Sequence, residues 1–187
     1  MTGMSEATET GHATESDQAS DPLEQDLVGL GRRAVVITSS TRAAAGVYPD
    51  RSGPVIVDRV QSWGFSVGAP IVVADGDEFG LALRDVLASE PDLVITTGGT
   101  GLTPTDVTPE QTLPLLDRLV PGIAEGMRAA GVAKGVRTAM LSRGLVGISG
   151  PSLVVNLPGS RGGVNDGLDV LEPIMGHVLQ QLAGGDH

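Results

Sequence analysis

The chain has 187 residues, of which 40% are hydrophobic and only 2% aromatic, and its formal net charge is −11. A core with so few aromatic side chains must be built from Val, Leu, Ile and Ala, which are typical of parallel strands covered by helices, so we expect an α/β domain. Cysteine is absent, which excludes disulfides, thiolate nucleophiles and cysteine-type zinc sites. The chain has no apolar stretch of membrane-spanning length and no secretory signal, so we expect a cytoplasmic protein that binds no membrane.

The acidic charge is concentrated at the N-terminus. Seven of the 23 acidic residues and none of the 12 basic residues precede residue 27, and few side chains there could pack into a core. We therefore predict a disordered acidic tail over residues 1–30, without an assigned role, and one domain over residues 31–187. The domain is only mildly acidic and has no basic stripe, which argues against nucleic acid as a partner.

The first predicted elements alternate between strand and helix. A buried strand at residues 34–37 ends in a hydroxyl-rich loop that contains Ser39, and Pro54 begins an amphipathic helix. A second strand at residues 70–73 leads to Asp75. Alternating strands and helices of this kind favour a parallel sheet.

A third strand leads into a glycine-rich loop. This strand, residues 93–96, is preceded by a helix for which Asp77 is the predicted N-cap. It runs into Gly98-Gly99-Thr100-Gly101, where closely folded backbone N–H groups can converge on an anion, and phosphate is the natural ligand. The Lys of a Walker loop and the spacing G-x-G-x-x-G are both missing, so neither common nucleotide fingerprint applies.

The helix after this loop begins beside an acid. Asp106 stands just before Thr108, and Thr108 and Gln111 have the spacing of a capping box. A second helical piece at residues 123–130 follows, and then a bent hairpin over residues 136–157.

A second loop of similar chemistry, Pro158-Gly159-Ser160, follows the hairpin. It precedes a last helix over residues 164–182, in which Pro173 is the expected kink. Two such loops at the carboxyl ends of strands fit the rule that ligands of open α/β sheets bind in the crevice outside those ends. We therefore predict one crevice with two anion sites.

Asp75 and Asp106 are the candidate catalytic carboxylates. In a parallel sheet both project from the same edge, beside phosphate loops, where carboxylates commonly hold Mg²⁺. Each also has a structural alternative, because Asp75-Gly76 is a good turn pair and Asp106 can orient the chain before the next helix. Ser142 and Arg143 are candidate donors to a phosphate or an acidic ring substituent, although an Arg on a loop is usually a solvated surface group.

The motifs, taken together and in this order, resemble the MoaB/Mog family of molybdopterin-binding proteins. They are Thr97-Gly98-Gly99-Thr100-Gly101, Asp106-Val107-Thr108-Pro109-Glu110, Leu141-Ser142-Arg143 and Asn156-Leu157-Pro158-Gly159-Ser160. The resemblance covers about residues 32–183. It implies a three-layer α/β domain, with a mostly parallel sheet flanked by helices, that assembles as a homotrimer and binds molybdopterin. In catalytic members the domain transfers AMP from Mg-ATP to the molybdopterin phosphate and releases pyrophosphate.

The resemblance also implies roles for individual residues. Asp75 and Asp106 match the two carboxylates tied to catalysis, and they are the Mg²⁺ candidates. The implied substrate-binding residues are Ser39, Gly98, Gly99, Thr100, Gly101, Ser142, Arg143, Pro158, Gly159 and Ser160. ATP and molybdopterin are the implied substrates, and other molybdenum cofactor synthesis proteins are candidate partners.

Three functions stay open at this point: a molybdopterin adenylyltransferase, a non-catalytic molybdopterin-binding trimer and a flavodoxin-like FMN protein. Many active members carry a Ser soon after the Pro-Gly that matches Pro121-Gly122, and residues 127–131 contain none. The loop over residues 38–41 could cradle an FMN phosphate, but flavin rings are commonly flanked by aromatic side chains, which are scarce here. The sequence does not show which of the two loops binds nucleotide and which binds pterin.

Overall fold

Parallel strands rich in Val, Leu and Ile form the centre of the structure, a computed structural model in which residues 27–184 are described. Within this range seven strands form one mixed sheet: β1 (Arg33–Ser39), β2 (Ser66–Val67), β3 (Ile71–Val73), β4 (Leu93–Thr97), β5 (Arg118–Leu119), β6 (Val146–Ser149) and β7 (Ser152–Leu157). The strand order is β2-β1-β4-β7-β6-β5, and β3 also pairs with β1, beside its carboxyl end.

Strands β1, β3, β4 and β7 are mutually parallel, whereas β5 and β6 complete the sheet in antiparallel pairs. The parallel strands therefore end at one edge of the sheet. The helices are α1 (Thr41–Ala44), α2 (Gly53–Ser62), α3 (Asp77–Leu87), α4 (Thr108–Thr112), α5 (Pro121–Ala133), α6 (Arg161–Leu171) and α7 (Met175–Leu182). Short 3₁₀ helices lie at Leu113–Leu115, Arg137–Leu141 and Glu172–Ile174.

Side chains along the central strands alternate between the two faces of the sheet, so each face carries its own hydrophobic core. In β4, Leu93 and Ile95 pack into one core and Val94 into the other, because successive side chains of a strand point to opposite faces. The first core also contains side chains of α2, α6 and α7, and α3 supplies the second. The predicted three-layer domain with a mostly parallel sheet is confirmed.

Most predicted elements are present, and the differences lie in the first part of the hairpin, in residues 27–30 and in the helix caps. The last helix breaks at Pro173 as expected, and residues 146–157 form the predicted hairpin. Its predicted first part is instead a 3₁₀ helix at Arg137–Leu141, which packs against α5. Residues 27–30, assigned to the tail, contact the domain through the Gly29 N–H, which donates to the Trp63 carbonyl over 2.8 Å. The rest of the predicted tail lies outside the described residues.

Both predicted helix caps are wrong. The N-cap of α3 is Gly76, whose φ of +94° favours glycine, and Asp77 lies in the first turn. The N-cap of α4 is Val107, without a side-chain cap, and the Gln111 amide donates instead to Asp77 of α3 over 3.3 Å. Because the Thr108 N–H donates to the Gly99 carbonyl over 3.0 Å, the start of α4 is attached to the glycine-rich loop.

Asn156 of β7 connects this loop region to the sheet. Its side-chain Nδ2 donates to the hydroxyl of Thr96 on β4 over 2.9 Å and to that of Thr112 on α4 over 3.1 Å. Its Oδ1 accepts from the Leu145 N–H over 3.2 Å. Asn156 and both threonines are buried; the Thr112 hydroxyl also donates to the Thr108 carbonyl, so loss of the Asn156 amide would leave the Thr96 hydroxyl as the unpaired buried group.

We therefore expect Asn156→Ala to lower the free energy of unfolding by about 2–3 kcal/mol. Asn165→Ala is the matched control, since Asn165 is exposed on α6; we expect it to change stability by less than about 0.5 kcal/mol. Urea denaturation of both variants measures the difference. Equal stabilities would contradict the role of the buried network.

Candidate active site

A cavity of about 690 Å³ lies where the parallel strands end. Its walls come from the loops that follow β1, β3, β4 and β7. Six of the residues implicated by the sequence line it: Ser39, Asp75, Gly98, Gly99, Asp106 and Gly159. The two candidate carboxylates thus share one cavity with parts of both glycine-containing loops.

Gly98 is the point at which three of these loops meet. Its φ is +97°, and a Cβ built on it would overlap the carbonyl oxygen of Ser39 at the end of β1. On another side, a Cβ built on Gly159 would lie 3.4 Å from the Cα of Gly98. Only a residue without a side chain fits this position, so the close approach of the loops that follow β1 and β4 depends on it, while the Gly98 N–H donates to the Leu157 carbonyl at the end of β7 over 3.2 Å.

The Asp75 carboxylate is held by the end of β1 and the start of α1. Oδ1 accepts from the Ser39 hydroxyl over 2.8 Å, and Oδ2 accepts from the backbone N–H and the hydroxyl of Thr41 over 2.9 and 2.8 Å. Burial raises the pKa of the Asp75 carboxyl, but these bonds favour the charged form and together hold its pKa below the usual 3.8. Asp75 is therefore a fixed negative charge at neutral pH.

Asp106 presents a less constrained carboxylate. Its Oδ2 accepts from the backbone N–H of Thr103 over 2.9 Å and from the Thr103 hydroxyl over 2.6 Å. Its Oδ1 accepts no hydrogen bond from any residue in the described range of 27–184. One oxygen thus anchors the side chain while the other remains available to a ligand.

Three arginines contribute positive charge to the cavity. Arg42, Arg51 and Arg161 line it, and none forms a salt bridge with another described residue. The guanidinium of Arg42 also lies 5.2 Å from the centre of the Tyr48 ring. Motif spacing did not single out Arg42 and Arg51, because loop arginines are common at surfaces; their placement at one cavity is a tertiary feature.

A second, more apolar cavity of about 320 Å³ lies between α5, the 3₁₀ helix at Arg137–Leu141 and the start of α6. Its lining includes Met127, Val136 and Ala139, together with Ser142, Pro158 and Ser160 from the sequence-predicted set. Ser160 is the N-cap of α6, and its hydroxyl accepts from the Gly163 N–H over 3.2 Å.

The loop Pro158-Gly159-Ser160 is the wall between the two cavities. Gly159 lines the first cavity, whereas Pro158 and Ser160 line the second. Gly131, in the segment 127–131 that lacks a Ser, also lines the second cavity; a Cβ there would lie 2.7 Å from the Cβ of Ala139. Ala139 thus occupies space into which a side chain at residue 131 would extend.

The remaining candidates, Thr100, Gly101 and Arg143, do not line the first cavity. Thr100 is buried, and its hydroxyl lies 3.4 Å from that of Ser142. The guanidinium of Arg143 is bonded to the carbonyl oxygens of Gly101 and Asp106 and to the Glu110 carboxylate, and its contact with a ligand phosphate stays a prediction. Those bonds use Nε, Nη1 and Nη2, while the Arg143 side chain stays 36% exposed and lines a groove at the antiparallel edge of the sheet.

The described residues contain no group of three or more His, Cys, Asp or Glu side chains arranged to hold a metal ion. A cation at the Asp75 and Asp106 carboxylates would need further oxygen ligands from a substrate or from water. None of the helices between residues 27 and 184 is long and apolar enough to cross a membrane.

Comparison with known families identifies the domain. Residues 34–177 match the family described as a probable molybdopterin binding domain, which is more than half of the chain. The chain belongs to this molybdopterin-binding family. The resemblance to MoaB and Mog proteins is thereby confirmed, and the flavodoxin-like alternative has no support.

Individual members of the family cover nearly the whole described domain. The solved Mog protein of Mycobacterium ulcerans is 50% identical, with a TM-score of 0.77, over 82% of this chain and 97% of its own. A molybdopterin adenylyltransferase of Pyrococcus furiosus is 36% identical over 78% of this chain and 88% of its own. A bifunctional molybdenum cofactor biosynthesis protein of Synechococcus elongatus is 42% identical over 82% of this chain, which spans only 48% of that relative.

The pH dependence of stability tests how this molybdopterin-binding domain holds Asp75. Because the folded pKa lies below 3.8, the carboxylate contributes stability above that pH and loses it as the pH falls through the folded value. Asp75→Asn should lower stability by about 1 kcal/mol at pH 7 and by less at pH 3. Thermal melts at both pH values measure this, with Asp85→Asn, an exposed α3 variant, as the control. A deficit independent of pH would contradict the assignment.

Proposed function

We propose that the protein is a molybdopterin adenylyltransferase, which transfers AMP from Mg-ATP to the phosphate of molybdopterin. Two kinds of observation support this. The chain belongs to the molybdopterin-binding family, and relatives that it matches over most of their length carry the name of this enzyme. Its two cavities of different chemistry meet at one loop, as a reaction between a nucleotide and a pterin requires.

The single observation that carries the proposal is the shared wall Pro158-Gly159-Ser160. The first cavity is lined by hydroxyls, three arginines and carboxylates, which suits nucleotide phosphates and their cation. The second is largely apolar with a few polar groups at its edge, which suits a flat heterocycle such as a pterin. We assign the nucleotide to the first cavity and the pterin to the second, so that their phosphates meet at Gly159.

Adenylyl transfer needs no protein nucleophile, which suits a chain without Cys. An oxygen of the molybdopterin phosphate attacks the α-phosphorus of ATP and forms a new P–O bond. The bond from the α-phosphorus to the bridging oxygen breaks, and pyrophosphate leaves with the electron pair. Catalysis then depends on positioning and on neutralising charge, the roles that we assign to the glycine-rich loop and to Arg42, Arg51 and Arg161.

Asp75 and Asp106 fit a Mg²⁺ ion that arrives with ATP. Carboxylate oxygens are the ligands that Mg²⁺ prefers, and it typically takes one or two of them together with substrate phosphates and water. The lowered pKa keeps Asp75 charged, and Oδ1 of Asp106 lacks a donor among the described residues. The ion would neutralise phosphate charge, while Asp106 would orient the attacking phosphate oxygen. We place this activity in the cytoplasm, where ATP is available.

A test of this role is Asp106→Asn, which keeps an acceptor for the two Thr103 bonds but removes the charge. We expect adenylation to fall about 100-fold or more, equivalent to about 3 kcal/mol of lost transition-state stabilisation, with pterin affinity and melting temperature nearly unchanged. Turnover is measured by chromatography of the adenylylated pterin after incubation with molybdopterin, ATP and Mg²⁺.

Asp58→Asn, on the exposed surface of α2, is the control for charge removal and should leave turnover unchanged. Full activity of folded Asp106→Asn would remove Asp106 from the mechanism. Pterin binding without adenylation by the unaltered protein would support the non-catalytic alternative instead.

We also propose a homotrimer, as the family resemblance implies. A groove of about 370 Å³ at the antiparallel edge of the sheet supports it, because its lining includes the apolar side chains of Leu119 and Met140, which are exposed by 50% and 64%. Exposed apolar groups around an edge strand favour association with another chain. We propose in addition that the protein associates transiently with other molybdenum cofactor synthesis proteins.

Light scattering on a sizing column should give three times the 19.0 kDa chain mass. Met140→Glu should shift the mass toward one chain, because it would bury a charge in the contact. Leu81→Glu is the matched control, since Leu81 is also exposed, by 56%, but lies on α3. A single-chain mass for the unaltered protein at micromolar concentration would rule out the trimer.

A further inference from the structure

Arg143 is bonded to both ends of the exposed part of the glycine-rich loop. Its Nε donates to the Gly101 carbonyl over 2.8 Å, and its Nη2 donates to the carbonyl of Asp106. Between these two carbonyls lie the exposed residues 102–105. The Arg143 backbone N–H adds a bond to the Thr100 carbonyl over 2.9 Å. One residue therefore closes the loop that carries Asp106.

The loop has few other attachments to the rest of the domain. The hydrogen bonds of the Thr103, Asp106 and Val107 N–H groups remain within the loop itself. Apart from the bonds to Arg143, a backbone bond from the Thr108 N–H to the Gly99 carbonyl joins the two ends of the segment. The position of Asp106 relative to the sheet thus depends strongly on the guanidinium.

Glu110 is the third hydrogen-bond partner of the Arg143 guanidinium. Its carboxylate accepts from Nη1 of Arg143, and this bond holds the pKa of Glu110 below its usual value of 4.5. Glu110 lies in the first turn of α4, which follows the loop directly. The planar fork of an arginine can make these three bonds in one fixed geometry, whereas the point charge of a lysine cannot.

Arg143 also stands next to the second cavity. The preceding residue, Ser142, lines that cavity, and its hydroxyl lies 3.4 Å from that of Thr100 in the loop. The segment Ser142-Arg143 therefore joins the wall of one cavity to the carboxylate of the other.

We infer that Arg143 is a positioning residue for adenylyl transfer: it contacts no substrate and acts by fixing Asp106 and the Gly98–Gly101 turn in the geometry that the reaction needs. The inference rests on the proposed function. It differs from the role suggested by the sequence, in which Arg143 itself binds a phosphate. A positioning role changes turnover through Asp106, whereas a direct role changes substrate affinity independently of Asp106.

The test is a double-mutant cycle of Arg143→Lys and Asp106→Asn. Arg143→Lys alone should lower kcat about 30-fold, with KM for ATP and for molybdopterin changed less than about twofold, because a small displacement of a catalytic group is costly. In the Asp106→Asn background the same change should lower kcat less than about threefold. Arg59→Lys is the matched control, since Arg59 bonds Asp169 and Glu172 at a distance from the loop.

Two further measurements complete the test. Millimolar guanidinium should partly restore kcat to Arg143→Ala and leave Arg59→Ala unaffected, which a general loss of folding would not show. Hydrogen exchange should show the loop amides of Thr103 and Asp106 exchanging about tenfold faster in Arg143→Lys than in the unaltered protein.

The results distinguish a positioning role of Arg143 from direct contact with a substrate. A raised KM for either substrate, or full additivity with Asp106→Asn, would overturn positioning in favour of direct contact. Unchanged loop exchange would also overturn it. If the unaltered protein shows no adenylation, the proposed function fails, and the exchange measurement still decides whether Arg143 fixes the loop.

Discussion

The close approach at Gly98 is the constraint on which the site depends. The backbone there passes so near the Ser39 carbonyl that a side chain at residue 98 would force the loops that follow β1 and β4 apart, and Gly159 of the third loop lies beside it. Those loops follow different strands of a parallel sheet, whose hydrogen bonds already bring their ends to one edge. Glycine at residues 98 and 99 then lets backbone, rather than side chains, line the cavity. A compact polar cavity with a thin wall toward its neighbour is the consequence.

The loop Pro158-Gly159-Ser160 forms a thin wall that separates the two cavities. Gly159 faces one and its neighbours Pro158 and Ser160 face the other, so ligands in the two spaces are separated by a single turn of backbone. The chemistry of the spaces differs because the strand-end loops supply hydroxyls and charges, whereas α5 and the 3₁₀ helix beside it supply Met, Val and Ala. A reaction that joins a charged nucleotide to a flat ring requires two such environments in contact.

The first cavity carries charges of both signs, which the proposed binding of a polyanion and its counter-ion requires. Carboxylates alone would repel phosphate, and arginines alone would not hold a hard cation. Asp75 is kept ionised by donors from Ser39 and Thr41, whereas Asp106 keeps one oxygen without a donor among the described residues. The hydrogen bonds that orient the two carboxylates therefore also give them different roles. Arg143 differs from the cavity arginines because backbone carbonyls and Glu110 occupy its donors.

The sequence by itself determined the fold class, the parallel strands and the two glycine-containing loops. These depend on hydrophobic periodicity and on residues with restricted or extended backbone freedom, which are local properties. The family followed from the order of the same motifs. Local patterns also suggested helix caps at Asp77 and Thr108, and both failed because Gln111 bonds across to α3 and Gly76 takes the cap position.

Only the tertiary structure decided which side chains meet. It placed Asp75 and Asp106 in one cavity with Arg42 and Arg51, and it moved Ser142 to the other. It also bonded the Arg143 guanidinium to two loop carbonyls and to Glu110, the contacts on which the inferred positioning role rests. Such partnerships join residues more than thirty positions apart, and a side chain bonds to whichever acceptor the fold brings within about 3 Å. Spacing along the chain carries no information about that choice, because it depends on how separate strands and helices pack.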